Sequence, residues 1–367
     1  MNQKTLCGMN NSEKILFKRD TDGFTKDLNS AVDKAFSKKD ISSAVSFLWV
    51  KLFFYLTLFL GAIFILYANP YGSHFGYLLM NYVAIGTSGI LLAFNSAHDA
   101  CHQTFSEKKW VNDLIFYFTF NMQGTSARLW RIRHLASHHL FSNVDGCDAD
   151  VDDNPLLRFS PNHKKKSFMK YQHFYAPILY SLYFIVWVYA KDFVYLNKKN
   201  LANLKNQDYP FWYTIELVVW KLFYVSYMIV LPYYQLGFSL SEILWAYLLM
   251  IIVGSNIFIY TLVTTHFTME TEFPTTNEKG ELPYSFAEHQ LIVSMDYHPT
   301  NLLATFLFGG FNSHAAHHLF PTLPHTTYPK VTPIIVEKSS EYNYKYNVLT
   351  LVGAISSHFK YLKKLGQ

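Results

Sequence analysis

The chain has 367 residues, of which 50% are hydrophobic, 18% aromatic and only 16% charged, against roughly 25% charged in an average soluble domain. That deficit argues against disorder and against an ordinary soluble enzyme, while a mean hydropathy of +0.07 is too low for a chain made of membrane spans alone. The composition therefore points to an integral membrane protein with a large water-facing part. Membrane-flanking lysines and arginines account for a net charge of +5 without nucleic acid as a partner.

Residues 1–46 are polar, carry Lys14, Lys18, Arg19, Lys26, Lys34, Lys38 and Lys39, and hold no apolar stretch that would serve as a signal-peptide core. From Phe47 to Ala68 runs an apolar stretch interrupted only by Lys51; at about 1.5 Å per residue it is long enough for a ~30 Å hydrocarbon core. A turn at Asn69-Pro70-Tyr71-Gly72 leads into a second apolar run, Phe75 to Ala97, so 47–97 is expected to be a transmembrane hairpin. Residues 98–210 are mostly polar, with one apolar patch too short to span and a tyrosine-rich run, Phe174 to Ala190, broken by Pro177 and read as an interfacial helix. Two long apolar runs over 211–263 form a second expected hairpin, and 264–367 returns to polar character, with a C-terminal helix expected from the pattern of Leu351, Ile355 and Phe359 among lysines. The cysteines, Cys7, Cys101 and Cys147, are odd in number and widely spaced, so no disulfide framework or paired-thiol motif is expected.

The sixteen histidines carry the most information. His98 and His102 follow the second run four residues apart, one helical turn, so both imidazoles can face one point. His134, His138 and His139 repeat that spacing with one histidine added, and His314, His317 and His318 offer separations of three and four. His266, just after the last run, is isolated. A single buried histidine is most often a hydrogen-bonded core residue, but three clusters at ligand spacing, each next to a span, favour metal binding. Imidazole suits zinc, copper, iron and nickel. The ligand count is about twice what one metal needs, and no thiolate set suggests an iron–sulfur centre. Two irons with room for O₂ fit best, with a zinc site, a metal transporter or scattered interfacial histidines as the alternatives. If the clusters build one site, an even number of spans separates Ala97 from His314. Four spans satisfy that parity. The segments placed inside then carry Lys108, Lys109, Arg128, Arg131, Arg133 and Lys164 to Lys166, and the outer turns carry no lysine or arginine. Both termini and the clusters are thus expected on the cytoplasmic side.

With these flanks the sequence resembles the membrane fatty-acyl desaturases, and within them the bacterial linoleoyl-CoA-type, or front-end, group. The matching stretches are HDACHQTFSEKKWVN, WRIRHLASHHLFSNVDGCDADVDDNPLLRFSP, HFTMETEFP and GGFNSHAAHHLFPTLPHTTYP, and the similarity runs from about Lys14 to the C-terminus. The resemblance implies an all-α integral membrane fold of four transmembrane helices with a cytoplasmic helical cap around a di-iron site. It also implies O₂-dependent insertion of a cis double bond into a long-chain acyl group carried on CoA, acyl carrier protein or a lipid. Carried over, the iron ligands are His98, His102, His134, His138, His139, His266, His314, His317 and His318. Two positions depart from the pattern: His314 stands where front-end members usually have glutamine, and Leu262 where other members have an asparagine holding a water. No His-Pro-Gly-Gly haem motif occurs, so electrons are expected from a separate donor such as ferredoxin or cytochrome b5.

Around this site Asp99, Glu288 and His289 are candidates for orienting the ligands, and Asp148, Asp150, Asp152 and Asp153 are either such partners or a solvated loop. Arg128, Arg131, Arg133, Lys164, Lys165 and Lys166 are candidates for holding an anionic headgroup or an acidic donor, or simply flank the membrane. Gly86, Thr87, Ser88 and Gly89 are small enough to make room for an acyl chain or for close helix packing. His74, His163 and His358 are expected on the surface, and His325, in a Pro-rich turn, is expected to leave the metal site untouched. A hydroxylase or acetylenase would use the same ligands on the same scaffold, and a metal-transport or metal-binding protein is the reading outside enzymes.

Overall fold

The computed structural model describes residues 15–70, 72–152 and 154–367; Cys7, Lys14, Tyr71 and Asp153 lie outside the described residues. The fold among the described residues is all-α apart from a two-residue parallel pairing of Asp296–Tyr297 with Val348–Leu349 and the isolated bridges Leu16 with Glu281 and Leu201 with Leu204. Among the described residues four helices are long and apolar enough to cross a membrane: Lys38–Ala68, Phe75–Cys101, Phe211–Gln235 and Leu240–His266.

The first span begins nine residues before the apolar run, because Ser37 and Asp40 form a reciprocal cap that satisfies the first free N–H groups. It ends at Asn69, which takes the left-handed conformation and bonds back to Ile65 O. Leu48, Leu52, Tyr55, Phe59, Ala62 and Leu66 recur at helical spacing and are buried, whereas Phe53, Phe54, Leu58 and Phe64 on the other faces are exposed. An apolar stripe turned outward is what lipid, not water, would cover. The same type of cap, Ser239 with Glu242, starts the fourth span. That span packs closely on the second, where a Cβ at Gly86 would lie 2.6 Å from Met250 Cγ, so Gly86 allows the two backbones to approach.

The apolar run at Phe174 to Ala190 does not form one straight helix. Ser167–Ser181 and Tyr183–Asn197 meet at 63°, and the break at Leu182 is stitched to the fourth span by Asn256 Nδ2 to Ser181 Oγ (2.9 Å) and Phe184 N to Ser255 Oγ (3.0 Å). A buried pair, Lys221 of the third span with Asp192 (2.9 Å), holds the far end. Its charges are compensated: Lys221 also donates to Gly124 O, and Asp192 accepts from Trp187 Nε1 and Ser126 N.

The polar segments fold together over one end of the spans, with the C-terminal helix, Leu351–Gly366, lying along the fourth span and Gln172–Ser181. Its His358 is buried, contrary to the expected surface position, because Nδ1 donates to Phe267 O (2.7 Å) and Nε2 meets Tyr180 Oη (2.8 Å). His74 is exposed and His163 partly so. Cys101 is a buried free thiol, whereas Cys147 is disulfide-bonded, which departs from the expectation of no disulfide framework or paired-thiol motif. Cys147 sits in an apolar cluster with Ile15, Phe141, Val144 and Leu282, where the N-terminal segment folds back on the loop after the second histidine cluster. Sequence spacing does not reveal that long-range contact.

The segment Leu302–Phe308 is wedged against the first two spans, and Gly309 follows with φ 60°. A Cβ there would fall 2.2 Å from Phe94 O. Gly309→Ala thus combines a left-handed penalty of about 1 kcal/mol with a backbone clash that nothing flexible can relieve. It is expected to lower the thermal unfolding temperature of the detergent-solubilised protein by several degrees, while Gly61→Ala, with nothing within 4 Å of the added carbon, leaves it unchanged.

Candidate metal centre

The second span continues through a π turn, Ala93–Ala97, into His98–Cys101 and stops at His102, after which Gln103 takes φ 64°. His98 and His102 thus lie on the last turn of a membrane helix. The second cluster is itself a π turn, His134–His138, following Ala127–Arg133. In an α-helix residues five apart point about 140° away from each other. A π turn closes its backbone bond from i to i+5, so His134 and His139 meet, Nε2 to Nε2, at 3.1 Å. The third cluster forms the short helix His314–Leu319, and His266 is the last residue of the fourth span.

All nine histidines carried over from the resemblance are buried, and they converge. His98, His102, His134 and His317 form one group, and His138, His266, His314 and His318 another; within each, one ring nitrogen per residue lies within 4.8 Å of the rest. His139 groups with His317 and His318 between the two and its ring stacks on His318 at 4.4 Å. Nitrogen pairs approach to 3.1 Å for His102 with His134 and for His314 with His318, and to 2.7 Å for His266 with His314. A first-row metal about 2.1 Å from each imidazole nitrogen places neighbouring ligands about 3 Å apart, so the spacing fits. His98 Nε2 and His317 Nε2 are buried with no hydrogen-bond partner among the described residues, an arrangement that a metal would relieve.

In three of these histidines the opposite ring nitrogen is held by the protein. His266 Nδ1 donates to Val293 O (2.9 Å), His318 Nδ1 faces Ser142 Oγ (3.3 Å), and His138 Nδ1 faces Asp148 (3.2 Å). Such partners turn Nε2 toward the common centre. Burial, reinforced by neighbouring imidazoles, holds His134, His139, His314, His317 and His318 well below the ordinary histidine range, which leaves them neutral as metal ligands must be. Burial pushes His138 down as well, but the adjacent Asp148 more than offsets this and its pKa is raised. Trp130 covers His134, stacked at 4.3 Å.

Of the residues expected to orient these rings, Asp99 bonds to His325 and Thr104 rather than to a clustered histidine. Glu288 lies in the first turn of Phe286–Val293, its N–H on Ser285 Oγ. His289 reaches Ser142 O (2.9 Å), one residue removed from the site. Asp148 and Asp150 both approach His138, at 3.2 and 3.8 Å. Asp296 Oδ1 accepts from Ala315 N (2.9 Å) at the start of the third-cluster helix, a position no local motif marks. The basic candidates are engaged internally: Arg128 with Glu216, Arg131 with Asp113, Arg133 with Asp150. Lys164, Lys165 and Lys166 are exposed. His325, assigned no part in the site, is buried and bonded on both nitrogens.

A cavity of about 170 Å³ opens on this centre, touching His134 of the first group and His138, His266 and His314 of the second. Its remaining wall is largely apolar, with Leu179, Tyr183, Phe258, Leu262, Val263 and Phe311. A smaller apolar cavity of about 60 Å³ lies between the spans and shares Trp187 and Phe258 with it. Of the four small residues expected to make room there, Gly86 lines this second cavity, while Ser88 Oγ is turned back to Ala84 O.

The comparisons agree with the chemistry of this donor set. The family model for fatty acid desaturases matches residues 73–350. Over 364 residues the chain is 28% identical to the sn-1 linoleoyl-lipid 6-desaturase of Synechocystis sp., covering 97% of this chain and 99% of that protein. It is 27% identical over 289 residues to the enzyme of the same name from Arthrospira platensis, covering 78% of this chain and 77% of that one. An acyl-lipid (8-3)-desaturase B of Dictyostelium discoideum is 29% identical over 299 residues, 77% of this chain and 63% of that protein.

Asp148 is fully buried and accepts from Asn143 N, Asp150 N and His138 Nδ1. Asp148→Ala is expected to destabilise the chelated, metal-free protein by about 3 kcal/mol, since the three donors lose their acceptor in a dry interior. Denaturant unfolding in detergent measures it.

Proposed function

This chain belongs to the fatty acid desaturase family, and from that premise we propose that it inserts a cis double bond into a long-chain acyl group esterified to a membrane lipid, at two irons held by the nine clustered histidines. The observation that carries the reading is the apolar cavity that reaches histidines of both groups. It binds methylenes by excluding water, and it presents two adjacent carbons to the same centre. When bound, the two irons with O₂ supply the oxidising power: two hydrogens leave the acyl chain with two electrons, two more electrons and two protons arrive, and O₂ leaves as two waters. The protein supplies neutral imidazoles in fixed orientation and a dry wall in which Leu262, Val263, Phe258 and Phe311 hold the chain beside them. The second cavity, between the spans and bounded by the same Trp187 and Phe258, lies where the remainder of an acyl chain would run. Support for a lipid-borne substrate comes from its position between membrane helices and from the names of the two linoleoyl-lipid relatives. The two electrons come from a separate one-electron donor.

The chain is read in five segments: a cytoplasmic 1–46, membrane hairpins 47–97 and 211–263, and cap segments 98–210 and 264–367. Both termini and the centre face the cytoplasm, on the side rich in lysine and arginine. Single cysteines introduced at Ser73 and Gly237 are expected to be labelled from outside, and those at Lys165 and Gln367 from inside. Labelling of Lys165 and Gln367 positions from opposite sides sinks this topology.

Purified without chelators, the protein is expected to hold two irons per chain, and a host expressing it to accumulate acyl chains with one further double bond, read by gas chromatography and mass spectrometry. His266→Ala is expected to abolish that product and lower the iron content while the protein stays monodisperse, because it removes a donor from the site and not an apolar contact between spans. Normal iron and product from that variant would remove His266 from the ligand set.

A further inference from the structure

Lys51, the single charge in the first apolar run, is buried at 1% exposure. Its ammonium donates to His325 Nε2 at 2.6 Å and to Thr305 O at 3.3 Å. On the other side of the ring His325 Nδ1 donates to Asp99 Oδ2 at 2.5 Å, and the His325 backbone N–H donates to Asp99 Oδ1 at 3.1 Å. His325 and Asp99 are 1% and 3% exposed. The three residues form a closed charge relay, ammonium to neutral imidazole to carboxylate, with no water needed to satisfy it.

Its placement is specific. Asp99 lies between His98 and His102 on the terminal turn of the second span, which ends before Gln103. Beside the apolar packing of Ala100 and Cys101 on Phe105, Ile115 and Phe116, Asp99 ties the turn by hydrogen bonds to the segment that carries His325. Gly310 (φ 84°) lets the chain before the third cluster pass against His325, where a Cβ would stand 2.6 Å from His325 Cβ. His325 thus joins the turn carrying His98 and His102 to the segment carrying His317, all three in the same histidine group. The second group has different supports: Val293 O for His266, Ser142 for His318 and Asp148 for His138.

We propose that His325, seated on Lys51, is a positioning residue for one metal of the pair: through Asp99 it sets His98 and His102 against His134 and His317, and the other group does not depend on it. This rests on the reading of the two histidine groups as two iron sites. The test is iron content and Mössbauer spectra of ⁵⁷Fe-loaded protein, wild type beside His325→Ala and His325→Asn. In His325→Ala iron is expected to fall from two per chain to about one, with one of the wild-type subspectra kept. His325→Asn, whose amide can still donate to Asp99, is expected to restore the second iron. A role in folding alone would lower the unfolding temperature without distinguishing the two irons. If His325→Ala aggregates, Asp99→Asn is read in the same way, since it keeps the shape and removes the charged acceptor. Two irons with unchanged spectra in the variant that stays soluble, or equal loss of both subspectra, overturns the proposal. Wild-type protein that binds no iron overturns instead the reading on which it rests.

Discussion

Nine imidazoles crowded into the dry end of a helical bundle are the constraint that the rest of the fold serves. Ring nitrogens about 3 Å apart cannot all carry protons, because each added charge would face its neighbours without solvent screening. Nor can each find a hydrogen-bond donor among the others. A metal between the rings would relieve both difficulties, and the outer nitrogens must then be held so that the inner ones point inward. The elements of the cap can be understood as the means of meeting those two demands.

Each histidine cluster has a buried aspartate of its own, used in a different way. Asp148 faces an imidazole of the second cluster directly, Asp296 receives the backbone N–H of Ala315 at the head of the third, and Asp99 holds the first from within by grasping His325. The two lysines buried in the spans follow a related logic. Lys221 and Lys51 are placed where backbone carbonyls and a partner from the cap can surround the ammonium. They are fasteners between membrane helices and cap, and neither opens a polar path through the bundle.

Much of this was legible in the sequence, and the reason is periodicity. Apolar runs of spanning length mark membrane helices whatever their partners, and histidines at one-turn spacing mark a shared face. The bend at Leu182 was signalled only by Pro177 and a short apolar run. What stayed hidden depends on contacts between residues far apart in the chain. His325 and Asp99 are 226 positions apart, and His358 is buried by Phe267 and Tyr180; neither histidine has a neighbour that betrays its surroundings. The same blindness made Arg128, Arg131 and Arg133 look like a surface for anions, whereas each is neutralised by a carboxylate within the fold.

The π turn at His134–His138 has a further consequence. Between fixed ends it accommodates one residue more than an α-helical turn. Wound as an ordinary α-helix with its length unchanged, the segment would turn His139 to about 140° from His134, whereas removing one residue from Leu135 to Ser137 would leave the two four apart and again on one face. The meeting of His134 and His139 therefore depends on length and winding together, a spacing of five with a π turn or of four with an α turn. That winding shows in neither composition nor hydropathy, so in this protein the path of the backbone between the histidines is itself a part of the metal centre.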